Sequence, residues 1–455
     1  MRKIYFYNTL TKKKDEFIPL KKGKVGMYVC GITPYDFTHL GHARCYVVFD
    51  AVRRFLKYAG YNVKYVQNFT DIDDKIIARS KEENRPWDEI SASYIDEYYQ
   101  DIRRLAVGDA DVSVRVSSHI PDIINAVRTL QEKDFAYEID GSIYYRVNRF
   151  PDYGKLSGRN PGELKPGSRV EVDKKKESPL DFALWKKSEA GEPCWESPWG
   201  SGRPGWHIEC SVMSMKYIGE TLDIHGGGQD LVFPHHENEI AQSASLTGKT
   251  FSRFWLHNGF VTINKEKMSK SLGNFFTLRD IYKDFSPQTV RFFLLSQHYR
   301  SPVDFSPDNL RDAGRSLERV NRIFEVTPLV ESSGKIEKSA DEIFNKFIEA
   351  LCDDFNTSSA FSHFFALVKL FNRTRAKIVL EKLEETDKIL GFLHLEKKQK
   401  VLKVSEKEIL GKIKEREEAR KSKNYKEADR IRTELLEKGV CLEDTSEGTK
   451  WSAEE

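Results

Sequence analysis

The chain has 455 residues, and its 73 Lys and Arg nearly balance 70 Asp and Glu, for a formal net charge of +3. A nucleic-acid role therefore has to rest on local patches. Hydrophobic residues at 39% and charged residues at 31% suit a globular chain, no apolar run is long enough to span a bilayer, and the length suggests about three domains. The first residues lack the apolar core of a signal peptide, and the six cysteines form no CxxC pair. The expected location is the cytoplasm, with reduced thiols and no membrane partner.

In chain order, Val25 to Val29 reads as a short strand. Ala43 to Tyr58 reads as a helix, with Val47, Val48, Ala51, Phe55 and Tyr58 at helical spacing and Gly60 as a stop. Val63 to Phe69 reads as a second strand. This βαβ unit puts the turn from Cys30 to His42 at the carboxyl end of the first strand, where open α/β sheets bind ligands. Asp74 to Ala106 is helical and charged. Ile139 to Val147 reads as a strand following Asp140-Gly141, and Lys155 to Lys176 as a loop rich in Gly, Pro and Lys. A strand from Thr221 to Ile224 precedes Gly226-Gly227-Gly228, and a helix runs from His235 to Leu246. A lysine-rich loop at 264–274 leads into a helical region. Within it, Asn309 to Phe324 and Ile343 to Phe371 have the spacing of a bundle. After a lysine-rich linker at 396–406, Lys412 to Arg432 holds nine Lys/Arg against five Asp/Glu.

Two stretches carry the chemistry. His39 and His42 flank Gly41 at a helix N-terminus, where free N–H groups and the helix dipole favour a phosphate. Two imidazoles can donate to phosphate oxygens, and Gly41 lets a flat ring lie on the backbone. Far downstream stands Lys267-Met268-Ser269-Lys270-Ser271. Together these resemble the paired ATP motifs of class I aminoacyl-tRNA synthetases. The stretches "MYVCGITPYDFTHLGH", "NFTDIDDKI", "GRPGWHIECS", "DIHGGGQDLVFPHHENEIAQS" and "EKMSKSLGNFF" narrow the resemblance to the cysteinyl-tRNA synthetases, from the first residues to the last.

The resemblance implies an α/β fold, with a split Rossmann-type nucleotide-binding domain followed by an α-helical bundle and a small C-terminal domain. Its halves would be 1–110 and 201–300, divided by a connective insertion at 111–200. A stem-contact region and bundle at 301–398 and an anticodon-recognition domain at 399–455 would follow. It implies that ATP activates L-cysteine to an adenylate, which then passes to the terminal ribose of tRNA(Cys). His39, His42, Lys267 and Lys270 would be catalytic. Gly41, Gly226, Gly227, Gly228, Met268, Ser269 and Ser271 would join them around ATP, with Mg2+ arriving on the nucleotide. On the residues alone, Cys30, Cys210, His235 and Glu239 fit buried thiols and a polar helix start as well as a metal site. The resemblance implies that they bind one Zn2+ per chain, with His236 in a supporting or nucleotide-side role. Cys30, Thr70, Trp206, His225 and Asp230 would surround the amino acid. Tyr425 and Trp451 are candidates to stack on anticodon bases. The insertion looks small for an editing domain. A monomer is expected. The competing readings are a cysteine ligase acting on an amino sugar, which would lack the C-terminal region, and a silent zinc- and RNA-binding paralogue, which should have lost the motif residues.

Overall fold

The computed structural model describes residues 2–160, 175–263, 266–267, 275–325, 334–393, 406–438, 440–445 and 448–453. The chain forms two units, Met1–Leu395 and Glu396–Glu455.

The first unit opens with a hairpin, β1 (Tyr5–Asn8) and β2 (Lys13–Glu16). Then follow β3 (Lys24–Val29), α1 (Leu40–Tyr58), β4 (Asn62–Phe69), α2 (Asp74–Glu83), α3 (Trp87–Arg104) and β5 (Val112–Arg115). The α1 stripe of Val47, Val48, Ala51 and Phe55 is buried, as its spacing requires. Next come α4 (Ile120–Glu132) and four antiparallel strands, β6 (Ala136–Ile139), β7 (Ser142–Tyr145), β8 (Phe182–Lys187) and β9 (Gly202–Pro204). Around Trp185 these elements pack into an apolar core that also takes in residues of the two helices that follow. The chain then returns through α5 (Trp206–Tyr217), β10 (Leu222–Gly228), α6 (Glu237–Thr247) and β11 (Ser252–Asn258).

The main sheet is parallel, in the order β11-β10-β3-β4-β5. From β3 the chain builds outward one way to β5, and after the inserted sheet it builds the other way through β10 and β11. The order therefore reverses between β3 and β10, and open α/β sheets bind ligands at the carboxyl ends of strands at such a point. Register there pairs His225 with Tyr28 and Gly226 with Val29, and the Cys30 N–H donates to the Gly226 carbonyl at 3.3 Å.

Beyond the sheet lie β12 (Val261–Ile263), β13 (Glu266–Lys267), α7 (Leu278–Ile281), α8 (Pro287–Ser296) and β14 (Val303–Phe305). A bundle of α9 (Pro307–Asn321), α10 (Gly334–Cys352), α11 (Thr357–Thr374) and α12 (Lys377–Leu390) follows. Helices α8 and α9 both start with a capping serine, Ser286 or Ser306, and a proline at the first helical position. The second unit is a helix pair, α13 (Glu406–Lys421) and α14 (Tyr425–Glu437), with a hairpin of β15 (Val440–Thr445) and β16 (Gly448–Ala453).

Several local expectations change. The strand expected over Ile139 to Val147 is the second half of a hairpin. Asp140 and Gly141, at φ 51° and 87°, turn β6 into β7. An Asp-Gly pair adopts those angles readily, so the dipeptide marks a turn within a strand pair. The three glycines from Gly226 belong to β10 itself and do not follow it. Strand β5 pairs with β4, so the parallel sheet runs past residue 110. Strand β9 pairs with β8, so the inserted sheet runs past residue 200.

Candidate metal centre and nucleotide cleft

Four elements deliver Cys30, Cys210, His235 and Glu239 to one point. Cys30 follows β3, Cys210 lies in α5, His235 in the turn before α6, and Glu239 in the first turn of α6. All four are buried, and one donor atom from each lies within 4.8 Å of the others. The Cys30 and Cys210 sulfurs are 3.8 Å apart. Cys30 Sγ is 3.6 Å from Glu239 Oε1, and His235 Nε2 is 3.1 Å from the same oxygen. A tetrahedral zinc ion, with bonds of about 2.3 Å to sulfur and about 2.1 Å to nitrogen and oxygen, needs edges of about 3.8, 3.6 and 3.4 Å. The donors already stand near that spacing.

A second grouping shares two of these residues. Cys30, His225, His236 and Glu239 also lie within 4.8 Å. His225 Nε2 is 2.8 Å from Glu239 Oε2, and His236 Nε2 is 3.3 Å from Cys30 Sγ. The imidazoles are held from behind. His235 Nδ1 meets His207 Nδ1 at 2.8 Å, and His236 Nδ1 meets His257 Nε2 at 2.7 Å. Neither His207 nor His257 was singled out in the sequence. The stretch around Trp206 contains His207, and nothing in the sequence marked His257, which the structure places near the end of β11.

Burial opposes charge on Glu239, yet the His225 and His235 imidazoles hold its carboxyl down at about 2. Burial likewise opposes an imidazolium at His235, but Glu239 and Cys210 raise it to about 10. Burial pushes the Cys30 thiol well up, and for Cys210 the hydrogen bond with Cys30 and the His235 imidazole outweigh burial and bring it to about 6. A cluster whose imidazole is pulled toward the protonated form and whose carboxyl and one thiol are pulled toward the deprotonated form offers donors on which a cation can take the place of a proton.

Of the other residues expected around the amino acid, Thr70, Trp206 and His225 stand beside this centre. Thr70 is buried and donates to Glu209 Oε2 at 2.8 Å. Trp206 opens α5, is 42% exposed, and stacks on His235 with centroids 4.5 Å apart. It therefore caps the centre and does not fill the core. His225 is buried against Glu239, and Asp230 lies in an exposed turn just after β10. Buried polar atoms without a protein partner include His225 Nδ1 and Glu209 Oε1.

On the nucleotide side, His39 caps α1. Its Nδ1 accepts the His42 N–H at 3.2 Å, and the two rings stack at 3.5 Å. Gly41 lies between them. At Gly226 a Cβ would fall 2.4 Å from the Phe49 ring of α1, and at Gly227 it would fall 2.9 Å from the His236 ring. These two glycines let α1 and His236 close on β10, a packing reason the sequence did not display. At Gly228 a Cβ would meet the Asp230 carboxylate. Lys267 is in β13 and pairs with Thr262. Met268, Ser269, Lys270 and Ser271 lie outside the described residues. Downstream of them the chain is back at the cleft, where the Phe275 ring is 5.1 Å from His39 and the Leu40 N–H donates to the Phe276 carbonyl. In the second unit Tyr425 is 61% exposed, whereas Trp451 packs on the core of Ile409, Ile413 and Leu435.

Comparison with known proteins gives three family models along the chain. The tRNA synthetases class I (C) catalytic domain matches residues 16–315, the DALR domain 346–403, and the cysteinyl-tRNA ligase anticodon binding domain 413–451. The cysteine–tRNA ligase of Carboxydothermus hydrogenoformans is 53% identical, covering 98% of this chain and 99% of that one. The cysteine–tRNA ligase of Clostridioides difficile is 49% identical at the same coverage. Among solved structures, Mycobacterium tuberculosis methionyl-tRNA synthetase superposes with a TM-score of 0.58 at 15% identity, over 82% of this chain and 88% of its own. The Agrobacterium radiobacter LeuRS in its ternary complex gives 0.60 at 11%, over 83% and 84%. These two share the fold. The amino-sugar ligase and silent-paralogue readings find no support in this set. Matched along its whole length, from the catalytic sheet to the C-terminal unit, the chain belongs to the cysteine–tRNA ligase family of class I aminoacyl-tRNA synthetases.

Proposed function

We propose that this chain carries out the family's two-step reaction, activating L-cysteine with ATP and transferring it to tRNA(Cys), with its selectivity set at a zinc centre. The observation that carries the reading is the spacing of Cys30, Cys210, His235 and Glu239, with two sulfurs 3.8 Å apart. This set is preferred to the one with His225 and His236 because it holds both thiols, the donors zinc favours. His225 then serves to orient Glu239. Zinc on these donors would supply a soft Lewis acid that favours a thiolate sulfur over a hydroxyl. Rejecting serine by roughly 10⁴ requires about 5.5 kcal/mol, beyond what an apolar pocket gives for near-isosteres.

This chain's own residues do the rest. Thr70, Trp206, His225 and Asp230 orient the amino acid, with Trp206 shielding the centre from water. His39 and His42 donate to the phosphoryl oxygens of ATP as negative charge builds there, with Mg2+ on the nucleotide. Lys267 and Lys270 supply cations to the same phosphoryl oxygens, and the described chain resumes at Phe275, whose ring lies 5.1 Å from His39. Gly41 and Gly226 to Gly228 line the adenosine. Residues 301–398 contact the acceptor stem, and residues 399–455 read the anticodon.

The test is pyrophosphate exchange with ATP for each amino acid, followed by charging of unfractionated tRNA. Exchange with cysteine and not serine, lost on stripping the metal and regained with zinc, is the expected result. Equal exchange with serine, or full selectivity without metal, would remove the zinc argument.

A further inference from the structure

The two cysteines of the centre are 180 residues apart in sequence, yet their sulfurs sit at a tetrahedral edge. A closed ring of bonds accounts for this. Cys30 is followed by Gly31, whose N–H donates to Asn68 Oδ1 at 2.8 Å. A backbone N–H can only donate, so the Asn68 amide has one orientation, with its NH2 toward Thr70. Asn68 Nδ2 donates to Thr70 Oγ1 at 3.2 Å, and Thr70 donates to Glu209 Oε2 at 2.8 Å. Glu209 is bonded to Cys210, and Cys210 Sγ closes the ring on Cys30 Sγ. Asn68 Oδ1 also braces it across the middle, 3.7 Å from Cys210 Sγ.

Asn68, Thr70 and Glu209 are 1%, 3% and 0% exposed, so water does not compete for these bonds. The approach of the two strand ends is as close as backbone allows. A Cβ on Gly31 would fall 1.5 Å from the Asn68 carbonyl oxygen. The ring thus joins the ends of β3 and β4 to the first turn of α5.

We infer that Asn68 and Glu209 are positioning residues that hold the two metal-binding thiols at their working separation and lock the Thr70 hydroxyl beside them. This rests on the zinc reading above. It makes metal affinity and cysteine recognition a single mechanical unit, separate from ATP binding.

The test uses the full-length protein and four variants, Asn68→Ala, Thr70→Val, Glu209→Leu and Glu209→Gln. Zinc affinity is measured by competition with a chromophoric chelator, and geometry by the visible spectrum of the cobalt-loaded protein. Asn68→Ala, Thr70→Val and Glu209→Leu should each weaken zinc by about 10–100-fold, the usual cost of losing an outer hydrogen bond at a metal site. Each should shift the cobalt bands and weaken cysteine while leaving ATP affinity unchanged. Glu209→Gln keeps an acceptor for Thr70 and should retain the wild-type cobalt spectrum. Thr70→Val replaces a hydroxyl by a methyl of equal size, so it decides the matter if Asn68→Ala does not fold. Unchanged zinc affinity and cobalt bands in Thr70→Val would overturn the proposal, as would Glu209→Gln behaving like Glu209→Leu. A wild-type protein that takes up neither zinc nor cobalt would remove the metal reading itself, and this proposal with it.

Discussion

At the scale of single residues, the proposed division of work on ATP gives the phosphoryl oxygens to His39 and His42 on one side and to Lys267 and Lys270 on the other. The two histidines hold each other, since the His39 ring caps α1 and the His42 ring stacks on it. In the proposed mechanism they act on charge that develops in the transition state. His42→Ala or Lys270→Ala should therefore lower kcat for adenylate formation by about 10²–10³. A change confined to KM for ATP in both variants would mean that they only bind the ground state. Cys210 tests the other half of the site. Cys210→Ser should weaken zinc and cysteine binding together and leave ATP binding nearly intact. In cobalt-loaded wild type the visible bands should move with cysteine and not with serine. Bands indifferent to bound cysteine would leave a metal that only holds the fold.

At the scale of elements, a buried carboxylate ties the helix that follows His39 to α8 and, through Arg291, to the end of α12. Asp50 of α1 accepts from Arg291 of α8 at 2.6 Å and from Arg54 at 2.8 Å. Arg291 also donates to the Leu390 carbonyl at the end of α12 and to the Leu105 carbonyl. Burial raises the Asp50 carboxyl, but Arg291 and Arg54 outweigh it and hold it below its usual value. A depressed carboxylate stabilises the fold above its unfolded pKa near 3.9 and loses that contribution as pH falls through its folded value. Asp50→Asn should cost about 3–5 kcal/mol, because it leaves Arg291 buried without a counter-charge. Denaturant unfolding at neutral pH measures this, and the wild-type and variant curves should approach each other below about pH 4. A loss under 1 kcal/mol would show that the hub is idle. In the small C-terminal unit the two aromatics separate. Trp451 packs on a core of few residues, so Trp451→Ala should melt that unit. Exposed Tyr425 can leave without harm to the fold, and Tyr425→Ala should weaken tRNA charging alone. Equal effects of both on melting would refute the distinction.

At the scale of the whole molecule, activation and charging should separate at the boundary between the two units. A fragment ending at Leu395 keeps the Arg291–Leu390 tie and the Phe392 ring that packs among Phe292, Phe361 and Phe364. It should retain cysteine-dependent pyrophosphate exchange and lose most tRNA charging. Charging by the full chain should also fall with added salt, since phosphate contacts release counterions. Full charging by the fragment would take the tRNA role away from residues 396–455.

How far the sequence reached depends on how local each feature is. The βαβ unit around Cys30 was legible because a strand, a glycine turn and a 3.6-residue stripe are short-range patterns. Strand and helix limits there fall close to those observed, and α1 gains one turn because His39 caps it. The His235–Glu239 pair was legible for the same reason, as four residues are one turn. The hairpin at Asp140-Gly141 was equally local, but a strand signal on one side masked its partner. The meeting of Cys30 with Cys210, by contrast, depends on strand order. The return of the chain through α5 to β10, beside β3, brings the carboxyl ends of the two halves of the sheet together, and no spacing in the sequence encodes it. The packing duties of Gly226 and Gly227, the backing imidazoles of His207 and His257, and the ring through Asn68 and Glu209 belong to the same class. Each is a contact between segments far apart along the chain. The chemistry on offer was written in residue types, and which residues would share it was decided by the sheet.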